Sequence, residues 1–296
     1  MKRRRFLTIT ASALLATTAL GASSGRAKAA RWSGTLLGAD GRIDLEGPDA
    51  EAALQAVTRE LERFEMIASL YRPDSALCRL NREGRLPKPP ADLLALCQLS
   101  TRLHTLTTGR FDPTVQPLWR ASAEGGDREA ARRRIDWNRV RFNEGEIRVD
   151  PGQALTFNGI AQGYAADLAA RLLKARGFTH VLIDTGEFSA LGGPYALGIA
   201  DPAFGILGKL TLTERAAATS SPNAMHVGGE PHILSPTGEK PLWSTVCVEA
   251  KSAALADGLS TAFVFHSQAE IAAIRRRLPE LCGVHLIDAD GDMVSV

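Results

Sequence analysis

The sequence predicts an α+β fold in which antiparallel sheets carry helices packed on their outer faces. β-Hairpin signals outnumber regular strand-helix-strand units, and long amphipathic segments alternate with them. The 296 residues, 45% of them hydrophobic, suffice for one large domain or two closely packed subdomains. We divide the chain into a leader over residues 1–29 and one domain over residues 30–296.

The leader has the composition of a bacterial export signal. A basic start precedes an apolar stretch over residues 6–20, and Ala-Lys-Ala at residues 27–29 is typical of a cleavage site. Residues 3–7, Arg-Arg-Arg-Phe-Leu, fit the twin-arginine pattern that addresses folded proteins for export. The apolar stretch is shorter than the ~20 residues that a membrane span needs. We therefore expect a periplasmic protein, exported by the twin-arginine pathway.

The charge balance argues against a nucleic-acid partner. The formal net charge is +2, but residues 1–29 contain six Lys or Arg and no acid, so the chain without them carries −4. Its remaining basic residues are scattered along the sequence rather than arranged in a stripe. We expect no nucleic acid among the partners.

Four cysteines, Cys78, Cys97, Cys247 and Cys282, would enter an oxidising compartment. None belongs to a Cys-x-x-Cys pair, so zinc and thioredoxin-like chemistry have little support. The spacing leaves disulfides and buried thiols equally open.

Turn residues and periodicity predict the elements of the first half. Residues 35–46 alternate around the Asp-Gly pair at 40–41, which predicts a β-hairpin. An amphipathic helix follows over residues 48–68. A second helix runs from about residue 91 to 108 and ends at Gly109.

The second half continues with the same signals. Residues 139–149 predict a hairpin, and residues 159–176 predict a helix closed by Gly177. The remaining predicted elements are strands over 180–185, 195–200, 209–213 and 244–250, helices over 254–263 and 269–278, and a hairpin over 284–296 around Asp290-Gly291.

Three oxygen-bearing side chains lie in the apolar helix predicted over residues 254–263. At about 100° per residue, Asp257 and Thr261 project from nearly the same face, with Ser260 beside them. Carboxylate and hydroxyl oxygens are ligands of hard cations such as Mg²⁺. The pattern leaves two interpretations open, an internal hydrogen-bond cluster or half of a magnesium site.

Two stretches follow the first two predicted helices and carry polar residues towards a turn. Residues 69–81 contain Tyr71 and an Asp-Ser pair at 74–75 that could equally be a helix cap. Residues 107–119 carry Phe111 and Asp112 into two prolines, which could equally form a rigid loop with an Asx-type turn.

Two later stretches have the same ambiguity. Gly159 and Gly163 flank a first helical turn whose exposed N–H groups could accept a phosphate, or they could allow close helix packing. His232 precedes a Pro-Thr-Gly turn, where a histidine is either catalytic or structural. No Walker A loop and no dinucleotide Gly-x-Gly-x-x-Gly is present in the sequence.

In their order, these motifs resemble the ApbE family of FAD:protein FMN transferases. Members of that family are magnesium-dependent and attach FMN covalently to Thr or Ser of exported flavoproteins. The similarity spans almost the whole chain after the leader. The matching positions are Tyr71, Asp74-Ser75, Phe111–Val115, Ala161–Asp167, Thr219-Ser220, His232–Gly238 and Asp257–Thr261.

The resemblance implies a duplicated, T-fold-like architecture and a reaction in which FMN passes from FAD to a protein hydroxyl with release of AMP. By resemblance, Mg²⁺ would be bound by Asp257, Thr261 and a backbone carbonyl near Gly159. His232 would be the base for the acceptor hydroxyl. The residues implied to bind FAD are Tyr71, Arg110, Phe111, Asp112, the turn from Thr156 to Gln162, and Ser260 near the phosphates.

The chain departs from the family pattern at two places. Thr156 and Gln162 stand where the family commonly has Asp and Lys, and Ser33-Gly34-Thr35 replaces the usual Met-Gly-Thr. Because one charge of each sign is lost, we expect the local balance to survive with weaker FAD binding. Residues 31–43 are similar to the branch of the family that serves nitrous oxide respiration, whose target is a membrane-bound flavoprotein regulator.

Two other functions remain open at this point. An FAD pyrophosphatase would use the same metal site with water in place of a protein hydroxyl. A non-catalytic FAD-binding accessory protein would have lost the chemistry.

Overall fold

The computed structural model describes residues 7–9 and 29–296. Most of the predicted leader, residues 1–6 and 10–28, lies outside that description. Within the described residues, no helix combines the length and the apolar character needed to cross a membrane.

The described chain alternates short strands with helices of one to five turns. The strands are β1 (Leu7–Ile9), β2 (Ala29–Leu36), β3 (Ala39–Glu46), β4 (Arg85–Pro87), β5 (Arg141–Phe142), β6 (Glu146–Arg148), β7 (Val181–Asp184), β8 (Phe188–Leu191), β9 (Tyr195–Asp201), β10 (Gly205–Leu212), β11 (Ala216–Ser220), β12 (His226–Val227), β13 (Glu230–Pro231), β14 (Thr245–Ala250), β15 (Leu281–Ile287) and β16 (Met293–Ser295). The helices are α1 (Ala50–Ala68), α2 (Ala76–Glu83), α3 (Ala91–Leu106), α4 (Gln116–Glu124), α5 (Arg128–Arg132), α6 (Ala161–Ala175), α7 (Ala253–Phe263) and α8 (Gln268–Arg277). Single 3₁₀ turns cover Pro113–Val115, Trp137–Arg139 and Pro222–Ala224.

An eight-stranded sheet with the order β16-β15-β14-β11-β8-β7-β3-β2 is the centre of the fold. Each neighbouring pair in it is antiparallel. Strands β9 and β10 form a second antiparallel sheet with β1 at its edge, and two smaller sheets have the orders β4-β6-β5 and β12-β13. The predicted α+β class with antiparallel sheets is confirmed.

Both faces of the large sheet are covered. Helices α1, α6 and α7 pack on one face, while β9 and β10 contribute to an apolar cluster on the other. Because side chains alternate along a strand, β14 directs Val246 and Val248 towards the helices and Cys247 towards the β9–β10 cluster. Burial on both faces explains the nearly continuous apolar run of this strand.

The N-terminal hairpin turns at a different place from the predicted one. Leu37 and Gly38 form the turn with φ values of 51° and 83°, whereas Asp40 and Gly41 lie inside β3 and pair with β2. Two positive φ values are typical of the tight turns that match strand twist. Gly38 also lies against the Tyr71 ring, since a Cβ at position 38 would lie 2.8 Å from it.

The other predicted helices and hairpins are present, with shifted ends. Helix α6 begins at Ala161, two residues later than predicted, and Gly177 follows it with a φ of 85°. The C-terminal hairpin closes around Asp288, whose carboxylate accepts the N–H groups of Asp290 and Asp292. Ser75 caps helix α2 by accepting the Cys78 amide, which confirms the helix-cap interpretation of the Asp-Ser pair. Helices α4 and α5 and strands β1, β4, β8, β11, β12 and β13 are additional to the prediction.

All four cysteines are free thiols. Cys97 and Cys247 are fully buried, and this burial raises the pKa of each thiol to about 12. Both side chains are therefore neutral packing groups at neutral pH.

Candidate functional site

A cavity of about 300 Å³ lies where the N-terminal part of α6 meets α7 and the large sheet. Predicted site residues from four separate stretches of the chain line it, namely Tyr71, Thr156, Gly159, Gln162, His232, Asp257 and Thr261. The structure therefore brings together residues that are up to 190 positions apart in the sequence.

Asp257 joins helices α6 and α7 at the cavity. Its side chain is 3% exposed, and its Oδ2 accepts the amide N–H of Gly163 at 3.1 Å. A Cβ on Gly163 would lie only 2.2 Å from the carbonyl oxygen of Ala253. Gly163 therefore serves close helix packing, and its N–H is engaged by a carboxylate of the protein.

Asp167 fixes the start of helix α7 one turn further along α6. Its carboxylate accepts hydrogen bonds from the Ser252 hydroxyl at 2.7 Å and from the amides of Ala253 and Ala254 at 2.8 and 3.0 Å. Burial raises the pKa of Asp167, and these hydrogen bonds oppose the rise. The contact holds the orientation of the helix that carries Asp257 and Thr261.

Thr261 lies one helical turn after Asp257 and packs against the backbone of Gly159. A Cβ at position 159 would lie 3.0 Å from Thr261 Oγ1 and 3.4 Å from Phe111. The missing side chain thus allows a backbone segment to approach the hydroxyl closely. A carboxylate, a hydroxyl and a backbone segment meet at one wall of the cavity.

This donor set fits the predicted magnesium site. Mg²⁺ takes oxygen ligands and commonly uses one or two carboxylates, with waters and substrate phosphates completing its shell. Across residues 29–296 there is no group of three or more His, Cys, Asp or Glu side chains that could hold a metal ion. A single carboxylate with neutral oxygens is the arrangement expected where phosphates supply the remaining ligands.

Ser260 lies behind the cavity wall rather than in it. The fully buried hydroxyl donates to the Asp257 carbonyl at 2.9 Å and therefore accepts from the Ser220 hydroxyl at 2.8 Å. Ser220 lines the cavity, and its Oγ lies 3.4 Å from Thr261 Oγ1. The polar group on α7 is thus an internal hydrogen-bond cluster whose outer members, Asp257 and Thr261, face the cavity.

His232 is held at the cavity by backbone contacts on both its ring and its amide. Its Nδ1 lies 2.9 Å from the Pro222 carbonyl oxygen, and its amide donates to the Met225 carbonyl at 3.0 Å. Because a carbonyl oxygen can only accept, Nδ1 carries a proton, so the neutral form of the ring has its lone pair on Nε2. This tautomer is the one required of a base that acts through Nε2.

Arg110 does not line the cavity. Its guanidinium pairs with Glu239 at 3.0 Å and with Glu270 at 2.9 Å. Glu239 also accepts a hydrogen bond from Ser235 at 2.8 Å within the loop that begins at His232. The arginine therefore connects that loop to helix α8.

Phe111 and Asp112 also lie outside the lining. Phe111 is buried beneath Gly159. Asp112 caps the 3₁₀ turn after it by accepting the Thr114 amide at 2.8 Å, and it accepts the Trp137 amide at 3.1 Å. Burial raises the pKa of Asp112. The stretch therefore forms a rigid loop with an Asx-type turn at Asp112.

Positions 156 and 162, where the chain departs from the family pattern, both line the cavity. Gln162 is 3% exposed, its carbonyl accepts the Thr185 hydroxyl at 2.9 Å, and its amide group packs on Gly186. Thr156 and Gln162 therefore lie in the same cavity. The negative and the positive charge that are lost relative to the family pattern are lost from one site, as we expected.

Trp119 and Glu187 are among the lining residues that the sequence reasoning missed. Trp119 of α4 lies within the stretch over residues 107–119, in which we predicted Phe111 and Asp112, but not Trp119, as site residues. Glu187, buried after β7, accepts the Thr219 amide at 3.1 Å. The sequence indicates Glu187 only as an acidic residue between two short apolar strands, β7 and β8.

The fold belongs to the α+β class, and its cavity is lined by oxygen donors and a histidine. These features are those of an enzyme. Residues 32–284 match the family model described as the ApbE family. The chain belongs to the ApbE family.

Curated relatives share much of their length with this chain. The FAD:protein FMN transferase of Salmonella typhimurium strain LT2 is 25% identical over 296 residues, covering 88% of this chain and 84% of the relative. That of Escherichia coli strain K12 is 23% identical with the same coverage.

Solved structures share the fold. The flavin transferase ApbE of Vibrio cholerae has a TM-score of 0.77 at 22% identity and covers 91% of this chain and 97% of its own. The apo form of the flavinyl transferase ApbE of Pseudomonas stutzeri also has a TM-score of 0.77, at 24% identity, and covers 93% and 97%.

Proposed function

We propose that this enzyme is a magnesium-dependent FAD:protein FMN transferase that moves FMN from FAD to a Thr or Ser hydroxyl of an exported flavoprotein and releases AMP. The carrying observation is that Asp257, Thr261 and the Gly159 backbone line the same cavity as His232. The names of the curated relatives support a flavin transferase.

The reaction requires one bond to form and one to break at phosphorus. The acceptor oxygen attacks the FMN phosphorus, and the bond from that phosphorus to the bridging oxygen of the pyrophosphate breaks. AMP leaves with the bridging oxygen, and the hydroxyl proton passes to a base. His232 suits that role because its Nδ1 is committed to Pro222 and its lone pair is on Nε2.

The protein contributes positioning and electrostatics rather than covalent chemistry. Asp257 would hold Mg²⁺ together with Thr261, and the bound ion would supply neutralisation of the pyrophosphate charge. Asp167 and Gly163 maintain the alignment of α7 with α6, so the oxygen donors keep their position. In phosphoryl transfer such alignment accounts for much of the rate.

FAD binding in this chain is proposed to be weaker than in relatives with Asp and Lys at the positions of Thr156 and Gln162. Tyr71 is 55% exposed beside the Leu37-Gly38 turn, where an aromatic ring is available to a bound nucleotide. Trp119 adds a second aromatic ring to the lining.

The protein is further proposed to act in the periplasm after twin-arginine export. The support is the sequence of residues 3–7 and the Ala-Lys-Ala site at residues 27–29. A membrane-bound flavoprotein regulator of nitrous oxide respiration is the proposed acceptor, because residues 31–43 are similar to that branch of the family. A covalent link would keep the flavin from diffusing out of that compartment.

The deciding experiment incubates residues 30–296 with FAD, Mg²⁺ and a candidate flavin-acceptor domain, followed by mass spectrometry. Transfer predicts one added FMN on a single hydroxyl and an equal amount of AMP. FMN and AMP in solution without a labelled acceptor would instead indicate an FAD pyrophosphatase. Intact FAD across several acceptors would indicate a binding-only accessory protein.

A further inference from the structure

A second concave surface lies on the other side of helix α4 from the cavity and has a volume of about 900 Å³. Five arginines line it, Arg82, Arg85, Arg120, Arg141 and Arg148, and we call it the arginine groove. All five are exposed to solvent. The groove is notable because the domain as a whole carries a net negative charge once the leader is excluded.

Three of these arginines have no ion pair or side-chain hydrogen bond to any residue in the described part of the chain. They are Arg85, Arg120 and Arg141, whereas Arg82 pairs with Glu83 at 3.3 Å and Arg148 pairs with Glu146 at 3.0 Å. Unpaired guanidinium groups on a shared concave surface retain their donors for an external anion.

The carboxylates of the groove do not cancel this charge. Three of them line it, Glu83, Glu124 and Asp150. Glu83 is engaged by Arg82, and Asp150 is engaged at 2.7 Å by Arg139, which lies outside the lining. Glu124 is the remaining carboxylate against three unpaired arginines.

The groove and the FAD cavity are built from the same chain segments. On α4, Gln116 and Trp119 line the cavity while Arg120 lines the groove. Gln116 and Arg120 are separated by four helical residues, a rise of about 6 Å. The segment that leaves the groove at Ala154 reaches the cavity at Thr156. An extended chain bound in the groove would therefore end close to the site of transfer.

We propose that the arginine groove binds an acidic, extended segment of the protein that accepts FMN. This inference rests on the proposed transferase function, because it assigns the groove to the acceptor of that reaction. Arginine forks match carboxylates in a bidentate geometry. A concave groove suits a single chain better than a planar lipid surface, and the net charge of the domain disfavours nucleic acid.

The test measures binding without requiring transfer. The probe is a fluorescein-labelled peptide of alternating Gly and Asp, ten residues long, with the Gly-Asn peptide as its uncharged counterpart. The groove variant is R85E/R120E/R141E. The matched control is R59E/R176E/R276E, which makes the same change in charge at three exposed arginines that have no ion pair among the described residues and lie outside both the cavity and the groove.

We expect the wild type and the control to bind the Asp peptide alike, and the groove variant to bind it at least about tenfold more weakly. The Asn peptide should bind to none of the three. Equal binding by the groove variant and the wild type would overturn the proposal, and so would an equal loss in both variants, since that would indicate unspecific charge. Thermal unfolding and FAD titration establish that each variant is folded with an intact cavity.

Two further measurements separate the alternatives. If vesicles containing phosphatidylglycerol bind in a groove-dependent way while the Asp peptide does not, the groove is a lipid surface and the proposal fails. In transfer assays, the groove variant should raise the KM for an acidic acceptor domain and leave kcat unchanged. A wild type that binds the peptide but transfers no FMN would count against the transferase function and not against the groove.

Discussion

The amide of Gly163 in helix α6 donates a hydrogen bond of 3.1 Å to the carboxylate of Asp257 in helix α7. The same glycine allows the two helices to touch, because a Cβ there would lie 2.2 Å from the Ala253 carbonyl oxygen. One residue thus sets both the separation of the helices and the position of the predicted metal ligand. A substitution of Gly163 should therefore test the contact between the helices, and a substitution of Asp257 should test the chemistry of the site.

Gly163→Ala should force α6 and α7 apart and lower the free energy of unfolding by about 1–3 kcal/mol. It should also weaken FAD binding, because Asp257 loses its alignment. Urea unfolding and FAD titration measure the two effects. The control is Gly126→Ala, where the new Cβ makes an ordinary contact of 3.5 Å with Ala121. A Gly163→Ala protein as stable as the wild type would show that the helices relax without cost.

Asp257→Asn should separate the charge of the carboxylate from its structural role. Asparagine retains an oxygen that can accept the Gly163 amide but cannot neutralise a cation. We expect a folded protein whose transfer rate falls about 100-fold or more and whose thermal stabilisation by FAD no longer depends on Mg²⁺. Asp257→Ala should also fold and lose metal-dependent activity. If Asp257→Ala unfolds while Asp257→Asn remains fully active, the α7 cluster is purely structural.

His232→Ala should lower the transfer rate by about 10²- to 10⁴-fold, the usual contribution of a general base. FAD affinity should change little, because the expected loss is in proton transfer. Stopped assays of labelled acceptor give the rate, and fluorescence titration gives the affinity. His180→Ala is the control, since that histidine is exposed and lies outside the cavity lining. Retained activity in His232→Ala would exclude the histidine as the base.

Glu270→Gln should reduce stability more at neutral pH than in acid. Hydrogen bonds from the Ser267 amide and hydroxyl, followed by Arg110, lower the pKa of Glu270 from 4.5 to about 2. A lowered folded-state pKa stabilises the protein above the ordinary pKa, and this contribution is lost as pH falls from 4.5 towards 2. Because the carboxylate is largely exposed, we expect a loss of about 0.5 kcal/mol at pH 7.

Urea unfolding at pH 7 and at pH 2.5 compares the Glu270→Gln variant with the wild type. Glu62→Gln, at an exposed glutamate with no ion pair among the described residues, is the control. A difference between the Glu270→Gln variant and the wild type that is the same at both pH values would contradict the assignment.

Replacing Arg3 and Arg4 together by Lys should leave the precursor in the cytoplasm, because the twin-arginine pathway requires the arginine pair. Cell fractionation with an antibody against the protein measures the outcome. A single Arg5→Lys change, outside the required pair, should not alter export. Normal export of the double variant would contradict the twin-arginine prediction.

Periodicity identified the five longest helices and the class of fold, but it did not identify strand β11. Its residues from Ala216 to Ser220 are mostly alanines, which have low strand propensity, and they form a strand because α7 packs closely on it. The hairpin turn was misplaced because the Asp-Gly rule does not exclude the nearby Leu37-Gly38 pair, which forms the turn with two positive φ values.

The motif resemblance located the cavity better than it located individual contacts. Helical spacing predicted that Asp257 and Thr261 share one face of α7, and both line the cavity. Arg110 pairs with Glu239 and Glu270, which are 129 and 160 residues away along the chain. No local sequence pattern reveals such distant partners. Glu187 was missed for the same reason.

The span of the cavity along the sequence also imposes an order on its assembly. Its walls begin at Ala39 and end at Thr261, and the strands that support α7 occupy positions in the sheet between earlier and later segments. A ribosome delivers the chain from its N terminus, so Tyr71, Thr156 and His232 all emerge before α7 does. Nascent chains that stop before residue 253 would leave the Gly163 amide without its carboxylate. The cavity is therefore complete only after translation has passed α7, which makes its assembly a late event in the synthesis of this protein.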